Sequence, residues 1–466
     1  MLNQITMIIP EILLAGLAMT MQIVGVYYKG NSRLVASATA VLSLGVIYYL
    51  LFNAPSLTFG FSESFAISER IFLYKALVLG LTVMSLVIYH DLTKIAKSNL
   101  RMEFVTLVLL STVGVFISIS ARDLILLFCG LELQALSGYA LAAFNSKESK
   151  SSEAGLKYFV LGALVSGLML LGISFLYGFS GSMKFNDIRI ALNGDLNIGL
   201  IVGAVLLLTG ILFKLSAAPL HIWTPDVYEG APISAVTYFS AAQKIGMLVV
   251  LINIVDAVIG DYIYISVEII KIVAILSMIA GALGAIMQVS LKRLMAYSTI
   301  LNMGYVLVAI CLHSPVGNYA AFIYMLIYAV GAMGFFACLV ALFGEKSDVA
   351  TFEDLKGIAN QRKSLAGAIS IIMFSMIGLP PLAGFFGKYL VFYNAVLQGE
   401  IVLALLGVLT SVVAAFYYLK VIKYMYFMEA KEEIQAIATN RGLLMVTVIN
   451  VAFIMLFFIF AHKNIV

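Results

Sequence analysis

The stretch RDLILLFCGLELQALSGYALAAF, residues 122–144, decides the fold class. It is long enough to cross a bilayer as a helix, which takes about 20 apolar residues. A single carboxylate, Glu132, stands near its middle. A charge at mid-bilayer costs about 2.5–3.5 kcal/mol on insertion scales, so it persists only if paired, hydrated or neutral. The segment therefore reads as a membrane span with an acid held for a purpose.

The rest of the chain has the same texture. Of 466 residues, 62% are hydrophobic and 11% charged. A soluble domain is about one quarter charged, and this sequence cannot cover a water-soluble surface. The sequence predicts an all-α polytopic membrane protein facing the lipid bilayer. By the same length criterion about fourteen spans are expected, near 8–28, 34–53, 71–90, 103–120, 122–144, 153–179, 198–222, 232–257, 266–288, 293–313, 318–344, 364–395, 401–428 and 443–462. The loops are short, and 1–466 reads as one membrane domain.

Positive charge sets the expected orientation. Alternate loops carry Lys29, Arg33, Lys94, Lys97, Arg101, Lys147, Lys150, Lys292, Arg293, Lys346, Lys356, Arg362, Lys363, Lys420, Lys423, Lys431 and Arg441. The other side carries Arg70, Arg122, Lys184, Arg189 and Lys463. The bias places the first set in the cytoplasm or matrix and both termini on the opposite, periplasmic side. The net charge of +4 lies in these loops and argues for topology, not nucleic acid binding. Cys129, Cys311 and Cys338 lie in apolar runs and read as small buried hydrophobes. No metal or cofactor motif is found.

Six lysines fall within or at the edge of spans: Lys75, Lys157, Lys214, Lys244, Lys271 and Lys388. Burial lowers a lysine's proton affinity and raises a carboxylate's, which brings both toward neutral pH, and a movable counter-charge can reverse the shift. A glutamate with several lysines on neighbouring helices thus has the parts of a proton relay. The bland reading is a static ion pair. Lys75 and Lys271 are expected to snorkel from span ends to the interface, and Lys157 is close enough to an end to do the same. Lys214, Lys244, Lys388 and Glu132 are deeper.

Two spans are expected to be broken. In FKLSAAPLHIWTPDVYEGAP, Pro219 follows Lys214 and precedes His221; in IGLPPLAGFFGKYL, Pro380 and Pro381 precede Lys388. Proline removes a donor and clashes with the preceding turn. Inside a bilayer the freed carbonyls need side chains or water. Breaks at matching positions of two halves point to an ion pathway, and His221 suits proton shuttling unless it caps a helix end. The breaks fall in the seventh and twelfth spans, as in an inverted repeat of spans 4–8 and 9–13, with half-channels at 103–257 and 266–428. The match of Ser120-x-Arg122-x-Leu124 to Ser290-x-Lys292-x-Leu294 sets Asn302 opposite Glu132.

Three segments carry a resemblance: LFKLSAAPLHIWTPDVYEGAPISAV (212–236), LKRLMAYSTILNMGYVLVA (291–309) and GLPPLAGFFGKYLVF (378–392). They resemble the antiporter-like subunits of respiratory complex I, the bacterial NADH–quinone oxidoreductase. The WTPDVYEGAP string is most similar to the N-type subunits, as against the L and M types and Mrp antiporters. The stretch after Pro232, ISAVTYFSAAQK, departs from the usual form. The resemblance implies roles for Glu132, Lys157, Lys214, Lys244 and Lys388 in proton translocation, with His221, Pro219 and Pro381 supporting. It implies no cofactor in this chain: NADH, FMN, iron–sulfur clusters and quinone belong to partner subunits. Other membrane subunits, including antiporter-like ones, are the implied partners. The implied location is the bacterial inner membrane, or alternatively an organellar one. A stand-alone cation/proton antiporter and a structural scaffold are the competing readings.

Overall fold

A computed structural model describes residues 2–27, 32–97, 100–192, 197–259, 263–430 and 440–465. Lys29 and Lys431 of the orientation argument lie outside them. The principal helices are α1 Ile9–Tyr27, α2 Ser32–Phe52, α3 Glu69–Ile95, α4 Met102–Ser120, α5 Leu124–Ala142 and α6 Ser149–Ser180. They continue as α7 Ile198–Lys214, α8 Trp223–Gly230, α9 Ile233–Ser240, α10 Ala242–Ile254, α11 Ile263–Ile286 and α12 Leu291–Ile310. The chain ends with α13 Pro315–Phe343, α14 Lys363–Ile377, α15 Ala383–Leu397, α16 Ile401–Phe427 and α17 Arg441–Ile465. The small hairpin of Thr58–Gly60 with Phe65–Ile67 is absent from the sequence-based expectation.

Among the described residues, 11 helices are long and apolar enough to cross a membrane. Shorter apolar helices occupy 38–52, 198–214 and 363–377. Each expected span contains one of these helices. The helix at 38–52 is part of the 21-residue α2, whereas those at 198–214 and 363–377 are shorter than a straight crossing needs, and these two are the expected broken spans. The span expected over 198–222 stops at Lys214, and helix resumes at Trp223. The span expected over 364–395 is two helices separated at 378–382.

The chain divides into two compact units. The first comprises Met1–Leu86, Asn99–Leu215 and Ala242–Val267; the second comprises Val87–Ser98, Ser216–Ala241 and Glu268–Val466. The segment after the first break, including α8 and α9, thus packs with the second unit.

In the first unit, α4 and α5 form a close hairpin whose backbones touch. A Cβ on Gly114 would lie 2.5 Å from the Gln134 backbone nitrogen, and one on Gly130 would lie 2.9 Å from the Gly114 carbonyl oxygen. Small residues permit such approach where lipid offers no hydrophobic drive between helices. This contact fixes the face of α5 that carries Glu132.

Lys75 corrects the sequence expectation. It does not snorkel: it is 0% exposed and its ammonium pairs with Glu11 of α1 at 2.5 Å. The rings of Phe65, Phe72 and Phe116 lie 5.1–5.8 Å from the ammonium. A position near a span end places a lysine close to the interface only if nothing nearer neutralises it. Glu11, 64 residues away in sequence, does so. Lys271 stays near the surface as expected, held by Glu268 at 2.9 Å and Glu400 at 2.7 Å.

Removing one partner of a buried pair costs about 3–5 kcal/mol, whereas replacing both by apolar residues is often neutral. Glu11→Ala is therefore expected to lower the detergent-solubilised protein's thermal stability, and the double variant Glu11→Leu/Lys75→Met to restore most of it. Thermal aggregation followed by size-exclusion chromatography checks this.

Candidate proton-transfer site

In the first unit the expected residues meet through the end of a helix. Helix α7 terminates at Lys214, so its last carbonyls lack intrahelical donors. The Lys244 ammonium donates to the Lys214 carbonyl at 3.0 Å, and the Lys214 ammonium donates to the Leu131 carbonyl at 3.2 Å. Lys244 is 2% exposed. Cations at a helix C-terminus also meet the negative end of its dipole. Two lysines are thus tied in series, side chain to backbone.

Leu131 immediately precedes Glu132. The Glu132 carboxylate accepts a hydrogen bond from the Ser166 hydroxyl. It lies close enough for its charge to act on both Lys214 and the Tyr139 hydroxyl. Glu132, Lys214 and Lys244 are therefore brought together, with Ser166 as a partner that sequence spacing does not reveal. Lys157 is placed differently: its side chain is 42% exposed and its ammonium pairs with Glu153 on the same helix at 2.8 Å.

The second unit repeats the device. Helix α14 ends at Ile377, and the Lys388 ammonium donates to the Met376 and Ile377 carbonyls, each at 2.9 Å. Its third partner is the Ser411 hydroxyl at 2.7 Å, and the Tyr305 ring lies 5.6 Å away. Pro380 and Pro381 occupy the interruption, and Gly384 lets α15 begin against it. A Cβ there would lie 1.7 Å from the Ser375 carbonyl oxygen. An apolar cleft of about 630 Å³ opens beside Lys388, lined by Phe385, Tyr389, Phe392, Leu405 and Val408 among others.

Pro219 lies in the interruption between α7 and α8, where the Ala218 N–H donates to Ser277 at 2.8 Å. His221 lies there too, half-buried, with Nδ1 buried and without a hydrogen-bond partner.

A third lysine, Lys292, follows the same rule in a place where the sequence suggests a loop. It is buried, and donates to the Ala231 carbonyl just past α8 at 2.8 Å and to Asp348 at 3.0 Å. Asp348 in turn accepts the Ile233 N–H, the first of α9, at 2.7 Å. One ion pair thus caps the end of one helix and the start of the next. Beside it, Arg293 bridges Asp226 at 2.8 Å and Glu229 at 3.0 Å. The WTPDVYEGAP and LKRLMAYS strings are therefore two halves of one ionic joint. Among the described residues, no group of three or more His, Cys, Asp or Glu is arranged to hold a metal ion.

These features define a polytopic helical membrane protein with buried lysines at interrupted helices. Residues 121–414 match the family described as NADH:quinone oxidoreductase/Mrp antiporter, transmembrane, and the chain belongs to that family. It is 52% identical over 452 residues to NADH-quinone oxidoreductase subunit N of Rickettsia felis, covering 97% of this chain and 98% of the relative. A solved structure of respiratory complex I from Thermus thermophilus with bound aureothin contains a chain similar to it. The TM-score is 0.78 at 28% identity, over 96% of this chain and 97% of that one. The Mrp complex of Dietzia sp. DQ12-45-1b contains a chain sharing the fold, with a TM-score of 0.79 at 19% identity, over 95% of this chain and 93% of that one.

Asp348→Ala leaves the Lys292 ammonium and the Ile233 N–H each short of an acceptor, and an unmet buried group costs about 1–3 kcal/mol or more if charged. Asp348→Ala is expected to reduce the amount of assembled protein in the membrane. Asp348→Asn keeps an acceptor oxygen and is expected to retain more. Native gel electrophoresis of solubilised membranes compares the two.

Proposed function

We propose that the chain is the N-type membrane subunit of NADH–quinone oxidoreductase and that it translocates protons. Electron transfer from NADH through FMN and iron–sulfur clusters to quinone takes place in partner subunits; no redox step is assigned to this chain. Its place is the inner membrane of a bacterium, among other antiporter-like membrane subunits, with both termini on the periplasmic side. The family membership and the 52% identical relative support the subunit assignment.

The observation that carries the proton-moving role is the series Glu132, Lys214, Lys244. A lysine whose acceptor is a backbone carbonyl can lose its proton and leave an oxygen atom behind, instead of an unpaired carboxylate. Protons enter from the cytoplasmic side and load Lys214 and Lys244. Glu132 sets the affinity of Lys214: when its charge is near, the ammonium is favoured, and when Ser166 and its surroundings hold it away, the proton is released. Lys388 is the exit lysine of the second half-channel, 266–428, as Lys244 is the central lysine of the first, 103–257. Lys157 supports entry from the surface, His221 shuttles at the first interruption, and Pro219 and Pro381 keep both helices open. An autonomous cation/proton antiporter would use the same lysines, but the likeness to the Mrp chain extends to the fold alone.

Glu132→Ala and Lys244→Ala are each expected to assemble and to show lower proton pumping and quinone reduction. NADH-driven acidification of inverted membrane vesicles measures the first. Wild-type pumping by either variant in an assembled complex sinks the role of the residue replaced.

A further inference from the structure

Helices α5 and α6 are joined by a short turn and pack against each other, and Glu132 lies on the seam between them. Its carboxylate accepts from Ser166 of α6, while Lys214 gives its hydrogen bond to the Leu131 carbonyl and not to the carboxylate. An ionised carboxylate has about four lone-pair sites, and Ser166 fills one of them. The acid therefore has capacity for a second donor.

Tyr139 stands where such a donor is needed. It follows Glu132 by seven residues, two turns along the same face of α5. It is 7% exposed. In a helix a long side chain leans back toward the N-terminus, here toward Glu132. Its ring is fixed edge-on against Tyr158, 4.7 Å away at 85°, and Phe159, 5.8 Å away at 80°. Its hydroxyl rests in a notch left by Gly162: a Cβ there would overlap the tyrosine oxygen. Gly162 precedes Ser166 by four residues on α6, one turn or about 6 Å at the helical rise. The charge of Glu132 reaches the hydroxyl. The hydroxyl hydrogen is not committed to any of the described residues. A donor without an acceptor and an acid with spare lone pairs thus share one seam, a turn apart.

We propose that Tyr139 is a positioning residue for Glu132, the second of two hydroxyls that draw its carboxylate off Lys214, with Gly162 keeping the place for the tyrosine oxygen. The inference rests on the coupling of Glu132 to Lys214 proposed above. A change of rotamer carries the carboxylate from one staggered position to another. Turned to Lys214, it favours the ammonium. Turned to the seam, it takes hydrogens from Ser166 and Tyr139 together, and its charge is met by two dipoles in place of a cation. Lys214 is then left with the Leu131 carbonyl and holds its proton less tightly. Tyr139 therefore weights the position from which the proton leaves. Phenylalanine would keep the ring packing and lose that weight, and a larger residue at 162 would push the hydroxyl off the seam.

Helix α5 packs chiefly on α4 and α6. On α6, Tyr158 touches Tyr139, and Glu153 is exposed and paired with Lys157. Lys150 and Tyr177 of α6 and Glu103 of α4 stand near helix ends. From α7 and α10 come Lys214 and Lys244, tied in series. Glu132 is the acid among these whose charge reaches Tyr139.

The test is the pH profile of NADH-driven pumping by the intact complex in inverted membrane vesicles, normalised to assembled complex. Tyr139→Phe is expected to move the profile to higher pH by about one unit, a tenfold change in proton affinity and the order of one hydrogen bond to a charged group. Gly162→Ala is expected to move it the same way, and decides in its place should Tyr139→Phe not assemble. Glu132→Gln removes the charge that favours the ammonium and is expected to move the profile to lower pH. Added to Glu132→Gln, Tyr139→Phe is expected to move it no further. A role in packing alone lowers the rate across the profile and leaves its position unchanged. If Glu132→Gln lowers pumping or displaces the profile while Tyr139→Phe leaves it in place, the inference is overturned and the role of Glu132 stands. The same holds if Tyr139→Phe displaces the profile equally in the Glu132→Gln background. If Glu132→Gln abolishes pumping, the shift of Tyr139→Phe alone decides. If Glu132→Gln keeps the wild-type rate and profile, the role of Glu132 fails and the inference with it.

Discussion

A lysine ammonium inside a hydrocarbon layer needs oxygen, and three buried lysines of this protein take it from the cut ends of helices. Lys244 binds the last carbonyl of α7, Lys388 the last two of α14, and Lys292 the one just beyond α8. Each interruption leaves carbonyls without donors, and each lysine is a donor without a carboxylate on its own helix. The two liabilities cancel. The prolines are therefore less a hinge than a means of exposing acceptors.

The arrangement also separates two kinds of buried cation. Lys75, fully buried on Glu11 beside three aromatic rings, is balanced by a fixed opposite charge. Lys244 and Lys388 are balanced by dipoles, and neutralising them strands no anion. Lys292 is intermediate, because Asp348 shares it with a carbonyl. The proton-carrying role proposed above falls to the lysines held by dipoles.

Much of the fold is legible in the sequence because bilayer thickness converts directly into helix length. The breaks are legible as well, since proline within an apolar run has few other meanings. Glu132, Lys214 and Lys244 stand out by their depth, and the structure joins them through Leu131 and a helix end that no spacing announces. Lys75 misleads for a physical reason. Distance from a span end says where a side chain can reach, and gives no information about a partner on another helix. The roles of Lys292 and Arg293 are hidden in the same way: a positive-inside residue and an ionic joint look alike in one dimension. Ser166 carries no signal in an apolar sequence rich in small residues.

The Glu11–Lys75 pair has a bearing on how the chain is made. The two residues are 64 apart, and synthesis runs from the N-terminus. Glu11 therefore reaches the membrane well before the cation that will neutralise it exists. Until α3 arrives, α1 carries an acid alone, at an insertion cost of about 2.5–3.5 kcal/mol if ionised at depth. The pair can close only once α3 has been made. The pair that locks the finished unit also sets the order in which its parts can be laid down.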